Sequence, residues 1–180
     1  EGNYFHDNGL PLTYDPAHPT QVLSNGYHEH DCYIESAGVT YQYNHFGPMR
    51  TGCHGDAIKD RSSNIIIRYN EFDLGEQGAA MLLLEPQGGE GFIEFQPGYA
   101  DAYVYGNSIT IRNYASPVNM VSWISQGTVA SYSTLHRNTL YFFNNTVVNH
   151  HNRLALFELT ATTYTGTSPT FENIDCRNNI

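Results

Sequence analysis

Short runs of alternating apolar and polar residues, each closed by an asparagine, recur along this chain. The clearest copies are Val39-Thr-Tyr-Gln-Tyr-Asn44-His-Phe46, Ile65-Ile-Ile-Arg-Tyr-Asn70-Glu-Phe72, Ala102-Tyr-Val-Tyr-Gly-Asn107-Ser-Ile109 and Leu140-Tyr-Phe-Phe-Asn-Asn145-Thr-Val147. Partial copies stand at Asn3-Tyr4-Phe5 and at Ile174-Asp-Cys-Arg-Asn-Asn179-Ile180. Alternation at period two marks a strand with one buried face. The parity is the same in every copy. Val39/Tyr41, Ile65/Ile67, Ala102/Val104, Leu140/Phe142 and Ile174/Cys176 share one face. Thr40/Gln42, Ile66/Arg68, Tyr103/Tyr105, Tyr141/Phe143 and Asp175/Arg177 share the other. The asparagine falls at the bend before the next strand, where tolerance of left-handed backbone and local hydrogen bonding suit it. Stacked on its equivalents in neighbouring copies, it would form a side-chain ladder inside the bend.

The anchor asparagines are 41, 26, 37, 38 and 34 residues apart. Such unequal steps require insertions that loop out between turns of the repeat. Strand, bend and strand at this period, with few windows of helical spacing, predict an all-β fold: a right-handed parallel β-helix. One domain over residues 1–180 is expected, with loop insertions near 7–27, 85–99 and 112–137. The alternative is a β-sandwich, whose hairpins the Asn8-Gly9 and Asn25-Gly26 pairs would suit. The chain opens at Glu1-Gly2-Asn3 without Met and reads as a mature or excised piece. Both ends cut through a copy, so the expectation is a segment of a longer solenoid, or coil ends that associate end to end.

The composition agrees with strands and narrows the partners. The 180 residues include 14 Tyr, and only 14% are charged. A net charge of −10 argues against nucleic acid, because phosphate binding needs a basic surface. No apolar run reaches the roughly 20 residues that span a bilayer. Cys32, Cys53 and Cys176 contain no CxxC pair, so a zinc ribbon has no support. A Cys32–Cys53 bridge and buried free thiols both remain open.

Candidate chemistry gathers around Lys59, the chain's sole lysine. Residues 28–35 and 53–61 read as one strand in successive coils, which stacks Asp31 near Asp56 and Ile34 near Lys59. His28, His30, His54, Lys59 and Arg61 then share one region. With Ile58 pointing inward, Lys59 and Arg61 point outward together, about 7 Å apart at the strand rise. Two adjacent cations depress the lysine pKa and suit an anionic ligand. A lyase acting on an acidic polysaccharide needs such a pair: a base for the proton α to a carboxylate, and a cation to neutralise that carboxylate. Lys59 is the candidate base and Arg61 its catalytic partner. His30, His54, Arg68 and Glu85 are the candidate substrate contacts. Asp31 and Asp56 are the candidates for holding Ca2+ against a uronate, with Glu85 nearby. The plain alternative is an exposed Lys59 paired with Asp56 or Asp60, among arginines that solvate a sheet face. Tyr103, Tyr105, Tyr141 and Phe143 form an outward aromatic stripe that either stacks on sugar rings or packs beneath loops.

These motifs over residues 28–180 carry a resemblance. Gly55-Asp-Ala-Ile-Lys59-Asp-Arg61, Ile67-Arg-Tyr-Asn70-Glu-Phe72, Leu83-Leu-Glu-Pro-Gln-Gly-Gly89, Tyr103-Val-Tyr-Gly-Asn107 and the Leu140–Val147 run look like bacterial right-handed parallel β-helix repeat proteins of the pectate-lyase-like superfamily. Among these, the pattern is distantly similar to alginate lyases and chondroitinase B. The resemblance implies a secreted or periplasmic protein with a polysaccharide partner. Lys59 matches the lysine those lyases carry before the Asn-anchored strand. Their next coil carries Arg-His-Gly, whereas this chain reads Met81-Leu-Leu-Leu-Glu85-Pro86, so the second catalytic group is absent. That departure raises a reading from a different class: a non-catalytic β-helix that binds glycans or assembles end to end as a fibre or adhesin.

Overall fold

Each asparagine-closed copy becomes two short strands meeting at a bend, and a third strand completes the turn. The computed structural model describes residues 1–9, 13–15, 17–24, 30–51, 53–75, 79–84, 91–94, 96–99, 101–112, 118–124, 138–150, 154–160 and 173–180. The chain begins with β1 (Tyr4–Phe5), β2 (Thr13–Asp15) and β3 (His18–Ser24). A first full coil follows as β4 (Cys32–Ile34), β5 (Val39–Gln42) and β6 (His45–Phe46). The second is β7 (Ile58–Asp60), β8 (Ile65–Arg68) and β9 (Glu71–Leu74). The third is β10 (Ala79–Leu84), the short helix α1 (Gly91–Glu94), β11 (Ala102–Tyr105) and β12 (Ser108–Ile111). The fourth is β13 (Val118–Ile124), β14 (Thr139–Phe143) and β15 (Thr146–Asn149), before β16 (Leu154–Thr160) and β17 (Asn173–Arg177).

Corresponding strands stack into three five-stranded sheets, ordered β1-β6-β9-β12-β15, β4-β7-β10-β13-β16 and β5-β8-β11-β14-β17. Every pairing within them is parallel. This is the arrangement of a parallel β-helix, and the sandwich alternative falls with it. Antiparallel pairing among the described residues is confined to β2 and β3, a ribbon inside the 7–27 insertion.

The expected parity holds through the third sheet, where Val39, Ile65, Ala102, Leu140 and Ile174 stand in one register. Tyr41, Ile67, Val104 and Phe142 are buried in the next inward row. The first sheet adds Phe5, Phe46 and Phe72, stacked at 5.0 and 4.8 Å between ring centroids. Coils that present similar rings at one level stack them in the interior, which suits dense native packing.

The asparagine ladder forms. The backbone N–H and side-chain Nδ2 of Asn70 both donate to Oδ1 of Asn107, at 2.9 and 3.1 Å. Asn107 donates likewise to Asn145, at 3.0 and 2.9 Å. The same double contact joins Asn3 to Asn44, Asn44 to Asn70, and Asn145 to Asn179. Nδ2 of Asn107 also reaches the carbonyls of Ile67 and Tyr105, at 3.0 and 3.2 Å.

Three expectations need correction. The left-handed residue is not the anchor asparagine but the one before it: Gly2, Tyr43, Tyr69, Gly106, Asn144 and Asn178 all have φ between 52° and 69°. The reversal must precede the anchor so that the asparagine side chain can turn inward to the ladder. The 112–137 insertion is narrower than its pattern suggests, because Val118–Ile124 is a strand and Trp123 is 0% exposed in the core. Finally, Cys32 pairs with Ile58, Tyr33 with Lys59 and Ile34 with Asp60, one residue away from the expected register of this sheet. That register turns Asp60 into the core at 0% exposure. Its carboxylate is satisfied there by the Tyr41 hydroxyl and the Ser62 N–H, both at 2.6 Å. All three cysteines are free thiols.

Asn107→Ala orphans buried donors and acceptors on two neighbouring coils, and each such group costs roughly 1–3 kcal/mol. The unfolding free energy should fall by about 3–5 kcal/mol in urea titration. A loss below about 1 kcal/mol would rule out the ladder as a principal stabilising element.

Candidate functional site

Lys59 lies at the centre of β7, between two inward residues, so alternation turns it to the outer face of its sheet. The parallel register sets Tyr33, Lys59, Leu82, Ser122 and Glu158 side by side across five coils. The Lys59 ammonium sits 4.7 Å from the centre of the Tyr33 ring. Arg61 Nε donates to the Tyr33 hydroxyl at 3.1 Å. Tyr33 thus links the two cations, and its own hydroxyl proton is left to donate elsewhere.

Burial holds the Lys59 pKa below the ordinary lysine value, the Arg61 charge lowers it further, and Asp56 opposes both. This is the direction expected for a lysine beside a second cation. Arg61, however, is only 4% exposed. Alternation predicts that it points outward with Lys59, but β7 ends at Asp60 and the guanidinium folds against Tyr33. Arg61 therefore acts on Lys59 through its charge and does not stand at the surface as a carboxylate clamp.

His30, Asp31 and Asp56 border this group. His30 Nδ1 accepts from the Asp56 backbone N–H at 3.0 Å and lies 3.2 Å from its carboxylate. The His30 ring meets the edge of Tyr33, with 5.9 Å between centroids. Asp31 donates its backbone N–H to the Asp56 carbonyl at 3.2 Å, so the two strands do bring these acids together. Asp31 Oδ1 accepts from Asn8 Nδ2 at 2.7 Å. Its other oxygen and His30 Nε2 are buried without a hydrogen-bond partner among the described residues. Burial pushes the Asp31 carboxyl up to about 6, against the opposing pull of Asn8, His30 and His6.

The remaining candidates divide. His54 is half-buried in the segment leading to β7. Arg68 belongs to β8 in a different sheet, where Gln42 Oε1 accepts from it at 2.9 and 2.7 Å and the Tyr105 hydroxyl at 3.0 Å. It is therefore committed away from Lys59. Glu85 and His28 lie outside the described residues. Among the described residues, no three His, Cys, Asp or Glu side chains gather as a metal site, so Asp31 and Asp56 gain no third ligand there. The outward stripe stacks internally: Tyr103 on Tyr141 at 4.8 Å, and Tyr105 on Phe143 at 5.0 Å. Tyr33 was not singled out from the sequence. The signal available was its position just before Ile34, which the correct register sets beside Lys59.

Fold and site together define an all-β protein of three stacked parallel sheets, with a half-buried lysine on the outer face of one of them. The chain matches no protein-family model, no curated protein and no solved structure at a significant level. Among the described residues, no helix is long and apolar enough to cross a membrane.

The Asp31 carboxyl gives a signed test. Its folded pKa of about 6 lies above the ordinary 3.8, so the folded state favours the protonated form. Ionisation then disfavours folding; the penalty is absent below pH 3.8, grows through the window to about 6, and is complete above it. Asp31→Asn keeps an acceptor for Asn8 and removes the charge. It should stabilise the protein by on the order of 1–3 kcal/mol at pH 7 and by nothing near pH 3. Thermal unfolding of both forms across this range reads the difference, and equal stabilities at pH 7 would contradict it.

Proposed function

We propose that the chain is a secreted carbohydrate-active β-helix, wound right-handed as parallel crossovers almost always are, and that it acts as a polysaccharide lyase on an acidic polysaccharide by β-elimination. The observation that carries this reading is the lysine itself: half-buried, beside a buried arginine, with its pKa held down. A lysine that is neutral nearer to physiological pH is a base matched to proton abstraction. In the proposed step, Lys59 Nζ takes the proton from the carbon α to the uronate carboxylate. The electron pair forms the new C=C bond, and the glycosidic C–O bond breaks on its far side. Tyr33, whose oxygen accepts from Arg61, gives its proton to the leaving oxygen. The Arg61 charge, together with the protonated Lys59 that forms, stabilises the developing negative charge on the carboxylate.

One observation favours a second reading. Leu82 occupies the register position next to Lys59, in the strand where the lyases that the sequence resembles carry arginine and histidine. An apolar neighbour there suits a β-helix that binds an acidic glycan without cleaving it, or that assembles end to end. The Tyr33–Lys59 pair would then be a binding contact.

Incubation with alginate, chondroitin and polygalacturonate separates the two. The lyase reading expects unsaturated uronate products from the wild type and a loss of about 100-fold or more in Lys59→Ala, the usual scale for removing a general base. The rate should rise with pH to a plateau reached below the ordinary lysine pKa. Binding without unsaturated product from any polyuronate would discard the lyase and leave the binding reading.

A further inference from the structure

The outer side of the asparagine bends holds a feature that the Lys59 site does not use. The residue before each ladder asparagine is left-handed, and four of the six such positions carry glycine or asparagine, which tolerate that backbone. Tyr43 and Tyr69 do not fit this pattern. They hold φ of 56° and 55°, a conformation in which a bulky side chain is an outlier. They are also 57% and 47% exposed, so core packing does not account for them. Strain of this kind persists where the surrounding structure over-determines it, and it clusters at binding sites.

The two rings form a built surface. They stack on one another with centroids 5.6 Å apart and planes within 17°. Tyr69 is held from the side by the edge of Tyr105 at 5.6 Å, and the Arg68 guanidinium lies 5.9 Å from its centre. Its far edge covers Gly106: a Cβ there would come within 2.7 Å of the ring carbons. Glycine at 106 therefore meets two demands, the left-handed turn and the space for the ring. Beside the rings runs an open cleft of about 620 Å3, lined also by Tyr4, His45, Glu71 and Ser108. It crosses four coils, a length of roughly 14 Å at the strand spacing. His45 Nδ1 lies 3.2 Å from the Glu71 carboxylate, and His45 Nε2 is buried with no partner among the described residues.

We propose that this cleft is a binding site for an extended, uncharged glycan, with Tyr43 and Tyr69 as the platform for the sugar rings and Glu71 and Ser108 as partners for their hydroxyls. Aromatic faces pack on the C–H faces of a pyranose, and a carboxylate accepts two hydroxyl protons at once. Glu71 is the formally charged side chain in the lining and the Arg68 guanidinium against Tyr69 offsets it, so the cleft carries no net charge to draw a uronate and a neutral sugar chain is preferred. The length and openness suit several sugar units lying along the stack of coils. The proposal does not depend on Lys59, which belongs to a different sheet.

The test exchanges Tyr43 and Tyr69 for asparagine, the residue the chain itself uses at the same bend at positions 144 and 178. Cellohexaose and mannohexaose serve as neutral probes and hexagalacturonate as the charged one, with binding read by calorimetry and by NMR shifts. The full chain should bind a neutral probe more tightly than hexagalacturonate at this site. The Tyr43→Asn/Tyr69→Asn double variant should lose affinity roughly 10-fold or more, the equivalent of two modest stacking contacts. Its thermal midpoint should stay within a few degrees of wild type or rise, since asparagine relieves the backbone strain. Lys59→Ala should leave neutral-probe binding unchanged, so failure here and failure of the lyase reading are told apart. The proposal is overturned if the wild type binds neither neutral probe, if the double variant binds as the wild type does, or if the exchange collapses the thermal midpoint and so makes the rings part of the scaffold.

Discussion

The contact of one asparagine side chain with the next, repeated along the bend, is the constraint on which the other features rest. Each Oδ1 in the middle of the ladder receives two protons from the coil before it, and Nδ2 of Asn70, Asn107 and Asn145 also reaches backbone carbonyls. In a low-dielectric interior such a chain of amides is strong when complete and costly when broken. It also fixes register. A strand that slips by one residue turns its whole core face outward. The coils differ in length by as much as the spacings of 26 and 41 residues between anchors. The ladder resets the register at every turn. Long insertions are therefore tolerated in this fold, because their length does not reach the core.

Period-two alternation and the closing asparagine were legible because both are local and both repeat. The sequence misled where the deciding partner was on another coil or sheet. The pattern stacks Ile34 near Lys59, although Ile34 and Asp60, which the structure pairs, stand equally far before Asn44 and Asn70. That pairing buries a carboxylate, and the pattern around Asp60 gives no hint that Tyr41, from a different sheet, satisfies it. Trp123 escaped for a related reason. Its strand ends without an asparagine bend, and Ser122 interrupts its apolar run, so it looked like an insertion. The left-handed slot was hidden because the chain fills it with three residue types, of which tyrosine carries no turn signal.

At the Lys59 surface the same distinction separates what residue type implies from what burial decides. The single lysine beside an arginine pointed correctly to a depressed lysine pKa. Whether the arginine could also touch a substrate depended on its burial, and burial turned it inward to Tyr33. A buried guanidinium still projects its charge, and does so with less screening than an exposed one. Arg61 is thus an electrostatic neighbour of Lys59, while Tyr33 becomes the group that shares its outer surface. Asp31 shows the opposite balance. With one oxygen buried and unpartnered among the described residues, its carboxyl is pushed up to about 6, and the charge it carries above that pH works against folding.

The inner and outer sides of the bend divide the work between them. Inside, the asparagine is fixed by partners on both neighbouring coils, and little variation is open to it. Outside, the preceding residue needs only to reach the left-handed region, and the ladder holds it there whatever its side chain. An isolated turn would shed a tyrosine from that conformation, since the strain has no local compensation. A turn pinned by the ladder on either side can retain it. The order of the outer slots, Gly2, Tyr43, Tyr69, Gly106, Asn144 and Asn178, then has a physical sense. The Tyr69 ring has room only because the next slot is glycine, and Tyr43 has a face to stack on only because Tyr69 lies flat. The ladder supplies rigidity without constraining the outer side chain, and that is the freedom a solenoid needs to carry a recognition surface on a repeated core.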